Sequence, residues 1–191
     1  MVKNICTLGV FLFVFFFLGK SKERVTQSYC TVTHAADSIS CIDMIIDNEL
    51  VYRPFGQLCF TEKNLTDSIF KGMYREKCES GVGDELVYFS YTFYGGTSRE
   101  RNKYTFMKLF QKDEYVPDHV EITSDRTPFR IKKEGQEIRI GYSKTKVAEI
   151  LGIKDSNTCD TLRITDEDGT SDITLYFEAN LLKKIVLQNY L

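Results

Sequence analysis

Residues 140–187 constrain the fold most, because they spell out a complete packing unit in order. Ser143 precedes a helical stretch in which Val147, Ile150 and Leu151 share one face, and Gly152 stands where a left-handed C-cap residue belongs. Cys159 to Thr165 then reads as a strand, and Asp166-Glu167-Asp168-Gly169 as a turn. Asp172 to Glu178 is a second strand and Leu181 to Leu187 a third. Asp-Gly between apolar runs is a hairpin signal. One short helix followed by three strands predicts an α+β fold, an antiparallel sheet with short helices packed on one face.

The preceding residues repeat that order. Thr61 stands as an N-cap, Leu65, Ile69 and Met73 follow at four-residue steps, and Lys71, Arg75 and Lys77 occupy the last turns, where cations suit the helix dipole. After Cys78 come three expected strands, Asp84 to Tyr94, Tyr104 to Gln111 and Tyr115 to Thr123. Pro117 favours an edge position for the last of them. Glu49 to Tyr52 is expected to be a strand ending at Pro54, and two short strands flank Glu134-Gly135. A helix on three strands buries too little by itself, so two αβββ repeats side by side would share one core. The organisation read from this is a signal at 1–21, a flexible leader at 22–40, a first α+β unit at 41–126 and a second at 127–191.

Lys3 precedes an apolar run from Ile5 to Gly19, the pattern of a secretory signal. As a helix the run spans roughly 22 Å, short of the roughly 30 Å hydrocarbon core. Gly19 and Ser21 are small residues placed for cleavage after Ser21. An uncleaved anchor is the alternative, with membrane contact through residues 5–19. The whole chain carries 25 Lys+Arg and 27 Asp+Glu; without Lys3, Lys20, Lys22, Arg24 and Glu23, the balance from Val25 onward is 21 against 26, or −5. That acidity argues against nucleic acid as a partner. Aromatic residues at 13% with three prolines argue against disorder.

Cys6 leaves with the signal, so Cys30, Cys41, Cys59, Cys78 and Cys159 remain and at most two disulfides form. The sequence-local candidates are Cys30 with Cys41 and Cys59 with Cys78; buried free thiols are the alternative.

Ile140 to Gly152, with Leu175-Tyr176-Phe177-Glu178 and the apolar tail Leu181 to Val186, resembles the SmpA/OmlA (BamE-like) family of bacterial envelope proteins. The shared pattern is a Gly-hydrophobic-Ser/Thr start, a Val and a Leu-Gly on the helix, then aromatic-Phe-acidic and Leu-x-x-Ile in the late strands. The resemblance covers residues 138–188. It implies helices on a three-stranded antiparallel sheet and an envelope scaffold or binding protein rather than an enzyme. A tandem arrangement would resemble the β-lactamase-inhibitor-protein type of fold, whose members bind protein surfaces. The chain departs from the family in having Ile153 where Pro is usual, no Trp, and no lipidated Cys after the signal.

No catalytic, cofactor or metal residues stand out. His34 and His119 are the only histidines, and neither lies in a nucleophile motif. Counted from Asp166, Gly169 is fourth and Phe177 twelfth, so 166–177 is not an EF-hand loop, and its carboxylates are expected to be solvated turn residues. Gly81-Val82-Gly83 lacks the Lys-Ser/Thr of a phosphate loop. Tyr88, Tyr91, Tyr94 and Tyr104 crowd the first expected sheet and form the candidate binding surface; aromatic packing within the sheet is the alternative. The reading is a secreted or envelope protein that binds a protein partner or supports an assembly. A secreted enzyme of another type and a membrane-anchored surface protein are the alternatives.

Overall fold

The computed structural model describes residues 27–32, 39–82, 86–97, 100–109, 112–153 and 159–189. The signal expected at 1–21 lies outside them. Eleven strands and three short helical segments follow one another: β1 (Gln27–Val32), β2 (Ile39–Ile46), α1 (Asn48–Tyr52), a π-helical segment (Asn64–Ile69), β3 (Tyr74–Val82), β4 (Leu86–Thr97), β5 (Glu100–Lys108), β6 (Tyr115–Ile122), β7 (Ile131–Lys133), β8 (Gln136–Ile138), α2 (Lys144–Leu151), β9 (Thr161–Thr165), β10 (Ser171–Glu178) and β11 (Leu181–Asn189). Nine strands form one sheet in the order β1-β2-β9-β10-β11-β6-β5-β4-β3, and β7 pairs with β8 in a separate hairpin. Every pair in the large sheet is antiparallel except β2 with β9. The fold is α+β.

The central six strands read the same from both ends. β9-β10-β11 from the second half meets β6-β5-β4 from the first, last strand against last strand, at the antiparallel β11/β6 ladder. Residues from both halves belong to one hydrophobic cluster. The first half contributes mainly rings. Phe70 stacks on Phe93 with centroids 4.3 Å apart, Phe60, Tyr104 and Phe106 pack around them, and Phe129 from the second half joins the cluster. The second half contributes aliphatics, Leu162, Ile164, Ile173, Leu175, Ile185 and Leu187, under Val147 and Leu151 of α2. All are buried on one face of the sheet, which the helical segments and the β7–β8 hairpin cover.

α2 follows the sequence closely. The Ser143 hydroxyl accepts from Lys146 N at 3.2 Å, and Gly152 sits at φ 68°. The expected 166–169 turn joins β9 to β10, and Glu134-Gly135 joins β7 to β8.

Several expectations are overturned. Part of the supposed leader, 27–32 and 39–40, is strand. β1 and β2 form an antiparallel hairpin, and β2 lies in parallel on β9 from Ile42↔Thr161 to Ile46↔Thr165. An edge hairpin gains its order from backbone pairing, so polar residues do not forbid it. Residues 49–52 are helical rather than extended, because Asp47 caps the turn by accepting from Leu50 N at 3.3 Å and Leu50 and Val51 dip into the core. The Thr61 hydroxyl does accept from Asn64 N at 3.2 Å, but Gly72 at φ 77° ends the turn, so Arg75 and Lys77 belong to β3 and not to a helix end. Pro117 lies in an interior strand. It is tolerated because the β11 ladder stops at His119 and the β5 ladder shifts register between Thr105 and Phe106, opposite the proline.

Candidate functional site

Strand alternation puts the second set of side chains on the opposite face, where no helical segment of the described residues packs, although Thr105 and Asp172 on it are buried among their neighbours. Two rows run across it in register. One joins Arg163, Thr174, Val186, Glu121, Lys103 and Tyr94, each from the next strand. The other joins Asp172, Gln188, His119, Thr105, Thr92 and Glu76. Neighbours on this face satisfy one another, within the rows and between them. Lys184 Nζ lies 2.7 Å from Glu121 Oε1, and Arg163 Nη2 lies 2.8 Å from Asp172 Oδ2. His119 Nδ1 is 2.7 Å from Gln188 Oε1, and the Thr92 and Thr105 hydroxyls are 3.1 Å apart. Tyr74 and Tyr94 both donate to Glu76, at 3.3 and 3.0 Å. Exposed apolar groups punctuate the face: Ile46 at 49%, Tyr176 at 40% and Tyr74 at 65%.

Nine strands about 4.8 Å apart, with strands of about 25 Å, give a face of on the order of 1,000 Å². That matches the roughly 800 Å² that one partner contributes to a standard protein interface. The mixed charges and amphipathic rings suit the same use.

Of the four tyrosines expected to form a surface, the three whose side chains are described do not come together. Tyr91 and Tyr104 lie on the core side of β4 and β5 and are buried, so they are withdrawn from the binding surface. Alternation along β4 separates Tyr91 from Tyr94 by construction. Tyr91 donates to Glu62 at 2.7 Å. Burial pushes the Tyr104 hydroxyl up to about 12, and Thr127 pairs with it. Tyr115 donates to the same Glu62 at 3.4 Å, and burial with the Glu62 charge raises its phenol as well. Only Tyr94 stands on the open face; the side chain of Tyr88 lies outside the described residues. Sequence reading missed Lys184, Glu121, Arg163 and Tyr176, although the period-two pattern of β6 and of β9 to β11 marks all four as opposite the core residues.

Both expected disulfides are also corrected. Cys41 is bonded to Cys159, with Cα atoms 5.0 Å apart. The parallel register Ile42↔Thr161 brings the start of β2 beside the residues entering β9, and Asp43 Oδ2 accepts from Cys159 N at 3.1 Å. Cys30 lies opposite Cys41 in the β1/β2 register, but the bond goes elsewhere. Cys59 and Cys78 are free. Cys59 adjoins Phe60, which bridges to Tyr115 of β6, whereas Cys78 is on β3 with β5 and β4 between. Strand spacings of about 4.8 Å keep such positions well beyond the ~7 Å reach of a disulfide. Burial and the neighbouring Glu114 raise the Cys59 thiol, which disfavours its thiolate.

Of the 166–172 carboxylates, Glu167 and Asp168 are exposed turn groups as expected, but Asp166 and Asp172 are not. Asp166 is 2% exposed and accepts from Thr170 N at 2.8 Å, from the Thr170 hydroxyl and from the Tyr52 hydroxyl at 3.0 Å. Burial alone would raise this carboxyl. The hydrogen bonds from Thr170, Tyr52 and Ser171 outweigh it and hold Asp166 below the usual range. Asp172 is buried as well. Elsewhere a buried ion pair, Lys133 Nζ to Asp47 Oδ2 at 2.8 Å, ties the β7–β8 hairpin to α1.

No group of three or more His, Cys, Asp or Glu among the described residues is placed to hold a metal ion, and no described helix is long and apolar enough to cross a membrane. Comparison with known proteins gives no matching family model, no matching curated protein and no matching solved structure.

Proposed function

We propose that this chain is a secreted or cell-envelope protein that binds a protein partner through the open face of its sheet, and that its role is not enzymatic. The observation that carries the reading is the asymmetry of the sheet. One face is buried under helices and a hairpin, while the other presents paired charges with exposed Ile46, Tyr74 and Tyr176. Charge pairs at the rim of an interface fix register and on-rate, and exposed rings supply the buried area. The apolar run at 5–19 supports export. The resemblance of 138–188 to the SmpA/OmlA (BamE-like) family supports a scaffold or binding role in an envelope. A helix followed by three strands in the second half meets, in one sheet, a helical segment followed by four strands in the first, which supports a kinship of architecture with the β-lactamase-inhibitor-protein type of fold.

The test is a pull-down from the protein's own envelope fraction, comparing the mature chain with an Ile46→Ser/Tyr176→Ala variant. Both positions are at the surface, so the thermal melt of the variant should stay within about 1 kcal/mol of the parent. A protein that co-elutes with the parent and is lost from the variant supports the reading. Identical recovery by both chains would remove the open face from consideration.

A further inference from the structure

We propose that β3 is a dimerisation edge, on which a second copy of this chain adds its own β3 antiparallel about a twofold axis at Cys78. The proposal stands apart from what the open face binds. β3 is the last strand of the large sheet and, among the described residues, pairs only with β4. The β3/β4 register runs without a shift from Tyr74↔Tyr94 to Val82↔Leu86. The strand contains no proline, and Tyr74 through Cys78 are exposed. A long regular edge of open N–H and C=O groups is a template for strand addition, and proteins usually blunt such edges with prolines, bulges or lysines.

The sequence of this edge is complementary to itself. Cys78 is the middle of the nine residues Tyr-Arg-Glu-Lys-Cys-Glu-Ser-Gly-Val. In an antiparallel pairing centred there, Lys77 of each copy lies opposite Glu79 of the other, Glu76 opposite Ser80 and Arg75 opposite Gly81. No like charges are directly opposed. Sliding by two residues sets Lys77 on Lys77 in one direction and Glu79 on Glu79 in the other. Directly opposed charges of one sign are unfavourable in a sheet, so the charges select one register. The lysine that would otherwise blunt the edge becomes its specificity element. Cys78 lies opposite Ser90, in step with Thr92 and Tyr94, so the pairing joins two nine-stranded sheets with their open faces on the same side.

The test uses the full chain with glutathione disulfide as oxidant. Two Cys78 thiols give up two electrons and two protons, a Cys78–Cys78 bond forms, and the oxidant is released as two glutathione thiols. The expected product is a covalent dimer whose peptide map links Cys78 to Cys78 and which Cys78→Ala abolishes while Cys59→Ser retains it. Sedimentation under reducing conditions should show Lys77→Glu weakening dimerisation by about tenfold and added Glu79→Lys restoring it to within about threefold. A chain that stays monomeric to about 100 µM would overturn the proposal. So would a dimer that responds to Lys77→Glu but is not recovered by the charge swap, or one indifferent to both.

Discussion

Asp166 is the residue whose removal discriminates best between a solvated turn and a built one. In the structure its carboxylate closes the β9–β10 turn on itself, through Thr170 N at 2.8 Å and the Thr170 hydroxyl, and reaches across to Tyr52 of α1 at 3.0 Å. Hydrogen bonds to a charged group contribute about 1.5–3 kcal/mol each. Thr170 is half-buried, so in Asp166→Ala its freed groups regain some water, and Tyr52 is largely exposed and counts for little. The net loss is therefore about 2–3 kcal/mol, or about 4–12 °C in Tm for a chain of this size. The pH dependence carries the sign. The folded carboxyl titrates below its ordinary value of 3.8, so its contribution is present above that pH and is lost as pH falls through the folded value. The gap between parent and Asp166→Ala should be flat from about pH 8 to about pH 5 and narrow below about pH 4. Urea melts of both chains across that range measure it. A variant that melts with the parent at neutral pH, or a gap that widens in acid, would refute the reasoning.

Other outcomes follow from the same packing. Cys41→Ser should lower stability by about 4–5 kcal/mol in chemical denaturation, because the crosslink spans a sequence separation of 118, and a non-reduced peptide map should join Cys41 to Cys159. Lys133→Met takes the cation from beside a carboxylate only 4% exposed and should cost about 3–5 kcal/mol by thermal melt, most of it recovered when Asp47→Asn is added.

What was legible in the sequence was local. α2 announces itself through Ser143, the Val147–Leu151 face and Gly152, and each hairpin of the second half through its own turn. What was hidden depends on pairing at long range. Nothing near Cys41 predicts a partner 118 residues away, because the contact exists only once β2 lies in parallel on β9. The same parallel contact holds Ile42–Ile46, and β1 pairs with the residues before them, 39–40, which read as polar leader. Tyr91 and Tyr104 looked like surface by residue type. Alternation puts Tyr91 on the more apolar face with Phe93, and the same count along the next strand puts Tyr104 with Phe106, so both belong to the core. Asp166 looked solvated because acidic turns usually are, and the hydroxyl it takes from Tyr52 lies 114 residues off.

The β6/β11 junction ties the candidate surface to the integrity of the whole sheet. Lys184 with Glu121, and Gln188 with His119, both straddle that junction, each pairing one residue from either half. The two rows of open-face side chains therefore exist only when the halves are assembled, and neither half alone presents them. Beneath the same junction Val120 and Ile122 face Leu187 and Ile185, so the pairing that builds the surface also closes the core. A substitution there that breaks the ladder would lose partner binding and stability together, whereas one confined to Tyr176 or Tyr74, out on exposed positions, would separate them. That separation is what allows the open face to be tested as a binding surface rather than as a consequence of folding.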